Sequence, residues 1–293
     1  MITVFGASGN TGGAAAARLL KVGKKVRVVG RHKEKLASFT QAGAEAAVGD
    51  IENAGFVRQA LSGAEAAYVL IPPNMATDDF RAYQQRLVDC YVAGIEATGV
   101  RHVVLLSSIG AHHREGTGPI VALHELEERL KKIPPLNALF LRAGFFMDNV
   151  LMGLGSVKAQ GVYTSTMPAD ASMPMIHSAD IGNYVASRLE RLDFSGKSVV
   201  HLIGPKAVSQ TELASILSQA IDKPVRYQQV SFDDVEKGLK QAGMKPSVVS
   251  IFMEMYRGAG KGLVAPEEGG VVAQAQTTFE TFAKQVFAPA YRG

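Results

Sequence analysis

The sequence has one cysteine, no tryptophan, and no uninterrupted apolar run near the roughly 20 residues that a membrane-spanning helix needs. A lone thiol at Cys90 excludes an intrachain disulfide framework and a cysteine metal cluster, and its helical context reads as a buried structural position. The first residues run from Met1 straight into an apolar strand pattern, without the basic segment and cleavage site of a signal peptide, so a soluble, cytoplasmic protein is expected. Thirty-one basic side chains against 27 acidic ones give a net charge of +4, scattered apart from a run at Lys21, Lys24, Lys25, Arg27, Arg31, Lys33 and Lys35. Neither a basic stripe nor a base-reading motif accompanies that run, so no nucleic-acid partner is expected. His112, His113, Glu115 and His124 lie around a glycine-containing loop without metal-ligand spacing, and no metal site is assigned. Ser107 and Ser108 lack the nucleophile-elbow pattern of a hydrolase.

What is present is ordinary globular material, 47% apolar and 20% charged, on 293 residues. Apolar runs at 2–5, 26–29, 46–48, 66–71, 102–106 and 138–141 read as strands. They alternate with helical patterns at 11–22, 33–42, 54–61, 79–98 and 119–132. That order predicts an α/β fold, a Rossmann-type doubly wound parallel sheet. After residue 145 the rhythm loosens into short strands (199–203, 225–230) among helices, which predicts a smaller C-terminal α+β substrate region. The expected organisation is a nucleotide-binding domain over 1–145 and a lid over 146–293, with the chain crossing between them.

The strongest chemical motif is the glycine loop at 6–13, placed between the first strand and an alanine-rich helix. Gly6 makes the turn, Gly9 lets a pyrophosphate approach the backbone, and Gly12 lets helix and strand pack closely, with Ser8, Asn10 and Thr11 at the helix start. About 20 residues further on, an NAD site would offer a carboxylate to the ribose hydroxyls. This chain offers Arg31 and Lys35 instead, cations suited to a 2′-phosphate, which points to NADP(H). Later strand ends extend the expected cofactor track through Asp50, Ile71, Pro72 and Ser107.

The glycine loop, the Gly30-Arg31 strand end, Gly49-Asp50, the segment from Leu141 to Asn149, and His177-Ser178-Ala179-Asp180-Ile181-Gly182 together resemble the NmrA-like group of atypical short-chain dehydrogenase/reductases. The resemblance implies NADP(H) across a cleft between Rossmann and substrate parts, with Ala143, Gly144, Phe145 and Phe146 passing beside the nicotinamide. It also implies either a reductase of quinones, azo dyes or triphenylmethane dyes, or an NADP sensor without turnover.

The Tyr-x-x-x-Lys dyad of ordinary short-chain dehydrogenases is missing, since none of the eight tyrosines has lysine four residues on. His124 is the one weak candidate for a proton donor. Without the dyad, reduction of a simple ketone is disfavoured, whereas an electron-poor conjugated acceptor delocalises the arriving charge and takes its proton from solvent. The sequence therefore reads as an NADPH-dependent oxidoreductase of such small-molecule acceptors, monomeric or homodimeric, the alternative being a non-catalytic NADP(H)-sensing regulator. Phe146, Asn149 and Met152 are candidates for the acceptor pocket, and Phe145, Met147, Met173 and Met175 would also suit a flat apolar molecule.

Overall fold

The computed structural model describes residues 1–293. Strand and helix alternate through the first half: β1 (Ile2–Val4), α1 (Asn10–Lys21), β2 (Val26–Gly30), α2 (Ala37–Gln41), β3 (Glu45–Val48), α3 (Ala54–Leu61), β4 (Ala66–Val69), α4 (Phe80–Thr98), β5 (His102–Ser108), α5 (Ile120–Lys131) and β6 (Asn137–Ala143). The helical pattern at 33–42 is divided, Lys33–Leu36 forming a 3-10 turn ahead of α2. Asn53 and Asp79 cap α3 and α4 by accepting from Phe56 and Ala82 amides, so polar side chains satisfy the exposed helix starts.

The chain continues through β7 (Phe145–Phe146), α6 (Leu154–Gln160), β8 (Val162–Ser165), β9 (Ser172–Ile176), α7 (Ser178–Arg191), β10 (Lys197–Ile203), β11 (Ala207–Ser209) and α8 (Gln210–Ile221). It ends with β12 (Arg226–Gln229), α9 (Phe232–Gln241), α10 (Pro246–Gly260), β13 (Val272–Gln274), α11 (Phe279–Phe282), a π-helical turn at Ala283–Phe287 and α12 (Ala288–Arg292).

The main sheet has eight strands in the order β13-β10-β6-β5-β4-β1-β2-β3, with every pairing parallel. This is the doubly wound Rossmann arrangement, and its order reverses between β1 and β4, where such sheets open a ligand crevice. One apolar layer joins the sheet to α3, α4 and α5; the other joins it to α1 and α7. Gly182 permits the second layer, because a Cβ there would lie 2.5 Å from both Ala14 Cβ and the Thr11 carbonyl oxygen, so α7 crosses α1 almost backbone to backbone.

Residues 199–203 read in sequence as a lid strand, and here the structure differs. β10 pairs with β6 from Lys197↔Ala138 to Leu202↔Ala143 and belongs to the main sheet, covering an edge that would otherwise leave apolar β6 unpaired. β13 then adds to β10. The lid proper is built from β7, β9 and β11, the parallel pair β8 and β12, and α6, α8 and α11, around a separate core that includes Met147, Met175, Phe279 and Phe282. No helix is long and apolar enough to cross a membrane.

Candidate functional site

The glycine loop begins where β1 delivers the chain to the sheet edge, and Gly6 takes φ +65°, a left-handed turn that disfavours a side chain. Gly12 is a packing glycine: a Cβ there would strike the Gly6 carbonyl oxygen and lie 2.8 Å from that of Phe5. Gly9 is different, since a Cβ would meet only the Gly6 oxygen, at 3.4 Å, and otherwise face open space. No side chain caps the start of α1 and no acidic residue occupies its first turn. Free amides at a helix N-terminus, in front of open space, are the donor set a pyrophosphate needs. Ser8 and Asn10 are exposed there, whereas Thr11 is buried and its hydroxyl accepts from Tyr68 at 3.0 Å.

Arg31 and Lys35 both stand exposed beyond β2, and neither is paired with a carboxylate or a carbonyl. The nearby Arg27 contrasts with them, being bound to Glu45 at 2.7 Å and to the Ala60 and Ser62 carbonyls, a purely structural use of charge. Asp50 is exposed and accepts the Glu52 amide at 3.0 Å, which shapes the turn after β3. Gly49 is dictated by packing, because its Cβ would lie 2.5 Å from the Phe56 ring.

At the end of β4 the backbone is held by two α4 phenols. Tyr91 donates to the Leu70 carbonyl and Tyr83 to that of Pro72, each at 2.9 Å, which fixes the half-buried Ile71-Pro72 segment. Burial and then the Glu52 charge push the Tyr83 hydroxyl up to about 12, and burial raises Tyr91 further, so both remain donors. Cys90 is buried on the same helix, its thiol raised first by burial and directed at the Glu52 carbonyl, which makes it unreactive.

The β5 and β6 ends are joined where Ile109 donates its amide to Ala143. Gly144 lies so close to β9 that a Cβ would strike the Pro174 carbonyl oxygen. Phe145 and Phe146 point apart, as alternate strand residues must: Phe145 packs on the lid core and Phe146 on the α1/α7 layer. Met147 and Met175 are sealed inside the core of the C-terminal part, which removes them as acceptor walls, whereas Met173 packs against that core and stays half-buried. Asn149 and Met152 remain exposed, Met152 at 73%.

Asp148 ties this region to the glycine loop. It accepts from Asn10 Nδ2 at 3.1 Å and from both the amide and the hydroxyl of Ser178, at 3.0 and 2.6 Å. Its side chain therefore links the starts of α1 and α7, a role invisible in sequence because the partners lie 138 and 30 residues away.

His124 sits half-buried on α5 with Nδ1 2.9 Å from the Ala111 carbonyl. A carbonyl only accepts, so Nδ1 carries a proton and is engaged with the protein backbone.

Ser107, expected on the cofactor track, has its side chain engaged inside the protein. The residue is buried, and its hydroxyl donates to Glu127 Oε1 at 2.5 Å. Glu127 is fully buried on α5 and takes Arg142 in a fork, Nε to Oε1 at 3.0 Å and Nη2 to Oε2 at 2.7 Å, while Arg142 Nη1 reaches Glu267 at 2.7 Å. Ser107, Arg142 and His201 lie abreast on β5, β6 and β10. Two signals could have exposed this cluster: an arginine inside the apolar run 138–141 and its continuation, and a carboxylate in register with Ile120 and Leu130 on the buried stripe of α5.

A parallel sheet with its order reversed at β1 and β4, a glycine loop opening an uncapped helix, and a second strand ending in free cations define a Rossmann-type protein furnished for a phosphorylated dinucleotide. The chain belongs to the NmrA-like family, which matches residues 1–279. It is 25% identical to the NAD(P)H azoreductase of Xenophilus azovorans over 259 residues, covering 87% of this chain and 86% of that protein. Its fold is that of the Escherichia coli NADPH-dependent quinone oxidoreductase QOR2 complexed with NADPH (TM-score 0.80, 21% identity, 98% and 100% of the two chains). The Citrobacter sp. triphenylmethane reductase complexed with NADP(H) is equally similar, with TM-score 0.81, 22% identity, and 97% and 99% coverage.

Proposed function

We propose that this chain is an NADPH-dependent reductase of small, electron-poor conjugated acceptors of the quinone, azo or triarylmethane type. The observation that carries the reading is a contrast: the nucleotide groove has free amides and two unpaired cations, while at the β5/β6 edge the Ser107 and Ser108 hydroxyls and His124 Nδ1 are already engaged with protein acceptors. NADPH, when bound, supplies a hydride. The α1 amides at Asn10 and Thr11 would hold its pyrophosphate, with Gly9 giving backbone access, and Arg31 and Lys35 would hold its 2′-phosphate. Asp50, Ile71 and Pro72 would line the adenosine side and the 143–146 backbone the reacting end, with Phe146, Asn149 and Met152 bounding the acceptor. These residues orient the partners and exclude water, a proximity contribution that suits acceptors needing no acid catalyst.

The test is a panel of 1,4-naphthoquinone, methyl red, crystal violet and cyclohexanone, followed by loss of NADPH absorbance. Turnover of a conjugated acceptor without turnover of cyclohexanone is expected. Comparable rates on cyclohexanone would overturn the reading. NADPH binding without oxidation by any acceptor would leave the cofactor-sensing alternative.

A further inference from the structure

The Arg142 cluster has a buried half and an exposed half. Glu127 and Arg142 are sealed in the protein, yet the third member, Glu267, comes from the segment between α10 and β13 and its side chain is 48% exposed. That segment, residues 263–270, lies across the carboxyl ends of the strands. The Gly110 amide, just beyond β5, donates to the Ala265 carbonyl at 3.1 Å, and a Cβ on Gly110 would come within 2.8 Å of the Leu263 oxygen. The Leu263 side chain abuts Gly116. At its far end, Gly270 presses on His201, where a Cβ would lie 2.6 Å from Nε2.

His201 lies sealed beneath this strap. The imidazole is fully buried and neither nitrogen has a hydrogen-bond partner, so the closed strap keeps two polar atoms dry that water would satisfy if it lifted. The Arg142–Glu267 bond opposes that cost. One charge-assisted clasp thus holds the strap over one unpartnered imidazole.

We propose that Arg142 and Glu267 are positioning residues for the acceptor: they latch residues 263–270 over the ends of β5 and β6, where the strap forms one wall of the acceptor cleft. The identity of the acceptor rests on the reductase reading above; the latch itself rests on the geometry.

Glu267→Gln and Glu267→Ala test the latch, because they act at its exposed end and leave the Glu127–Arg142 fork intact. The expected result is an acceptor KM raised by about fivefold or more with kcat within about twofold, the pattern of lost uniform binding. The NADPH Kd should not move, tryptic cleavage after Lys261 should accelerate several-fold, and Glu267→Asp should recover part of the KM. An unchanged acceptor KM, or an NADPH Kd that weakens in step with it, would overturn the proposal. Should the unmodified protein oxidise NADPH with no acceptor, the reductase reading fails on its own. The strap is then judged by whether 1,4-naphthoquinone protects the Lys261 cleavage site in the NADP⁺ complex. Protection that Glu267→Gln abolishes sustains the proposal, and no protection overturns it.

Discussion

Two glycines of one loop should respond in opposite ways to the smallest useful substitutions, because one faces protein and the other faces space. At Gly12 a methyl group would strike the Gly6 carbonyl oxygen and sit 2.6 Å from its carbon and 2.8 Å from the Phe5 oxygen, where ordinary contact begins at 3.4 Å, so backbone must shift by more than about 0.8 Å. Overpacking against unyielding backbone costs up to about 3 kcal/mol. At roughly 2–4 °C per kcal/mol for a chain of this size, Gly12→Ala should lower Tm by roughly 2–12 °C. Gly9 has φ −99° and ψ 176°, extended backbone that any residue adopts. Losing glycine as the N-cap costs up to about 1 kcal/mol, offset by about 0.4–1 kcal/mol from a less flexible unfolded chain. Gly9→Val should therefore melt within about 4 °C of the unmodified protein. It should nevertheless bind NADPH at least about a hundredfold more weakly, about 2.7 kcal/mol, because the branched side chain fills the open side of the loop. With no tryptophan to report binding, isothermal titration calorimetry gives Kd and circular dichroism gives Tm. Unchanged NADPH affinity in Gly9→Val would refute the cofactor placement, and an unshifted Tm in Gly12→Ala would refute the packing argument.

Three other outcomes are expected. Arg31→Ala should remove most of an NADPH-over-NADH preference of at least about tenfold, since a charge-assisted hydrogen bond contributes about 1.5–3 kcal/mol; equal Kd values for both cofactors in the unmodified protein would contradict this. His124→Ala should lower dye or quinone turnover by less than about tenfold, well short of the roughly 10²–10⁴ of a general acid, and Phe146→Ala should cost more, as steady-state kinetics will show. Burial holds His102, His112 and His201 below the ordinary histidine range, Arg142 reinforcing the effect at His201. The unfolded chain then binds more protons than the folded one below about pH 6.5, so stability is full above that pH and declines as pH falls toward the folded pKa values. His201 alone accounts for at most about 1.4 kcal/mol per pH unit in that window, so Tm should fall between pH 7.5 and 5.5, and less steeply in His201→Leu.

The alternating part of the fold is legible because each strand there is an apolar run and each helix an amphipathic one, features local to a few residues. The main-sheet membership of β10 is not local. Nothing within Lys197–Ile203 says that its partner is β6, 59 residues earlier at Lys197↔Ala138, and β13 is only three residues long. Near the site, residue type indicated where a phosphate could rest, whereas tertiary contacts decided which side chains were already engaged. Ser107 stands at a strand end, as ligand-binding serines do, but alternation turns it toward α5 and into Glu127. Phe145 and Phe146 read as one aromatic pair, and the same alternation sends them to different cores.

The late arrival of β10 has a consequence for synthesis on the ribosome. Chain growth is vectorial, and the nascent polypeptide acquires β6, with Leu139, Phe140 and Leu141 destined for complete burial, well before the strand that will flank it. Residues 146–203 take roughly 3–12 s to add at about 5–20 residues per second. Throughout that interval the unpaired amides and carbonyls of a flat apolar strand are a template for any other chain. Truncation after β6 leaves the outer edge of that strand without its partner, however complete the alternating portion looks in sequence.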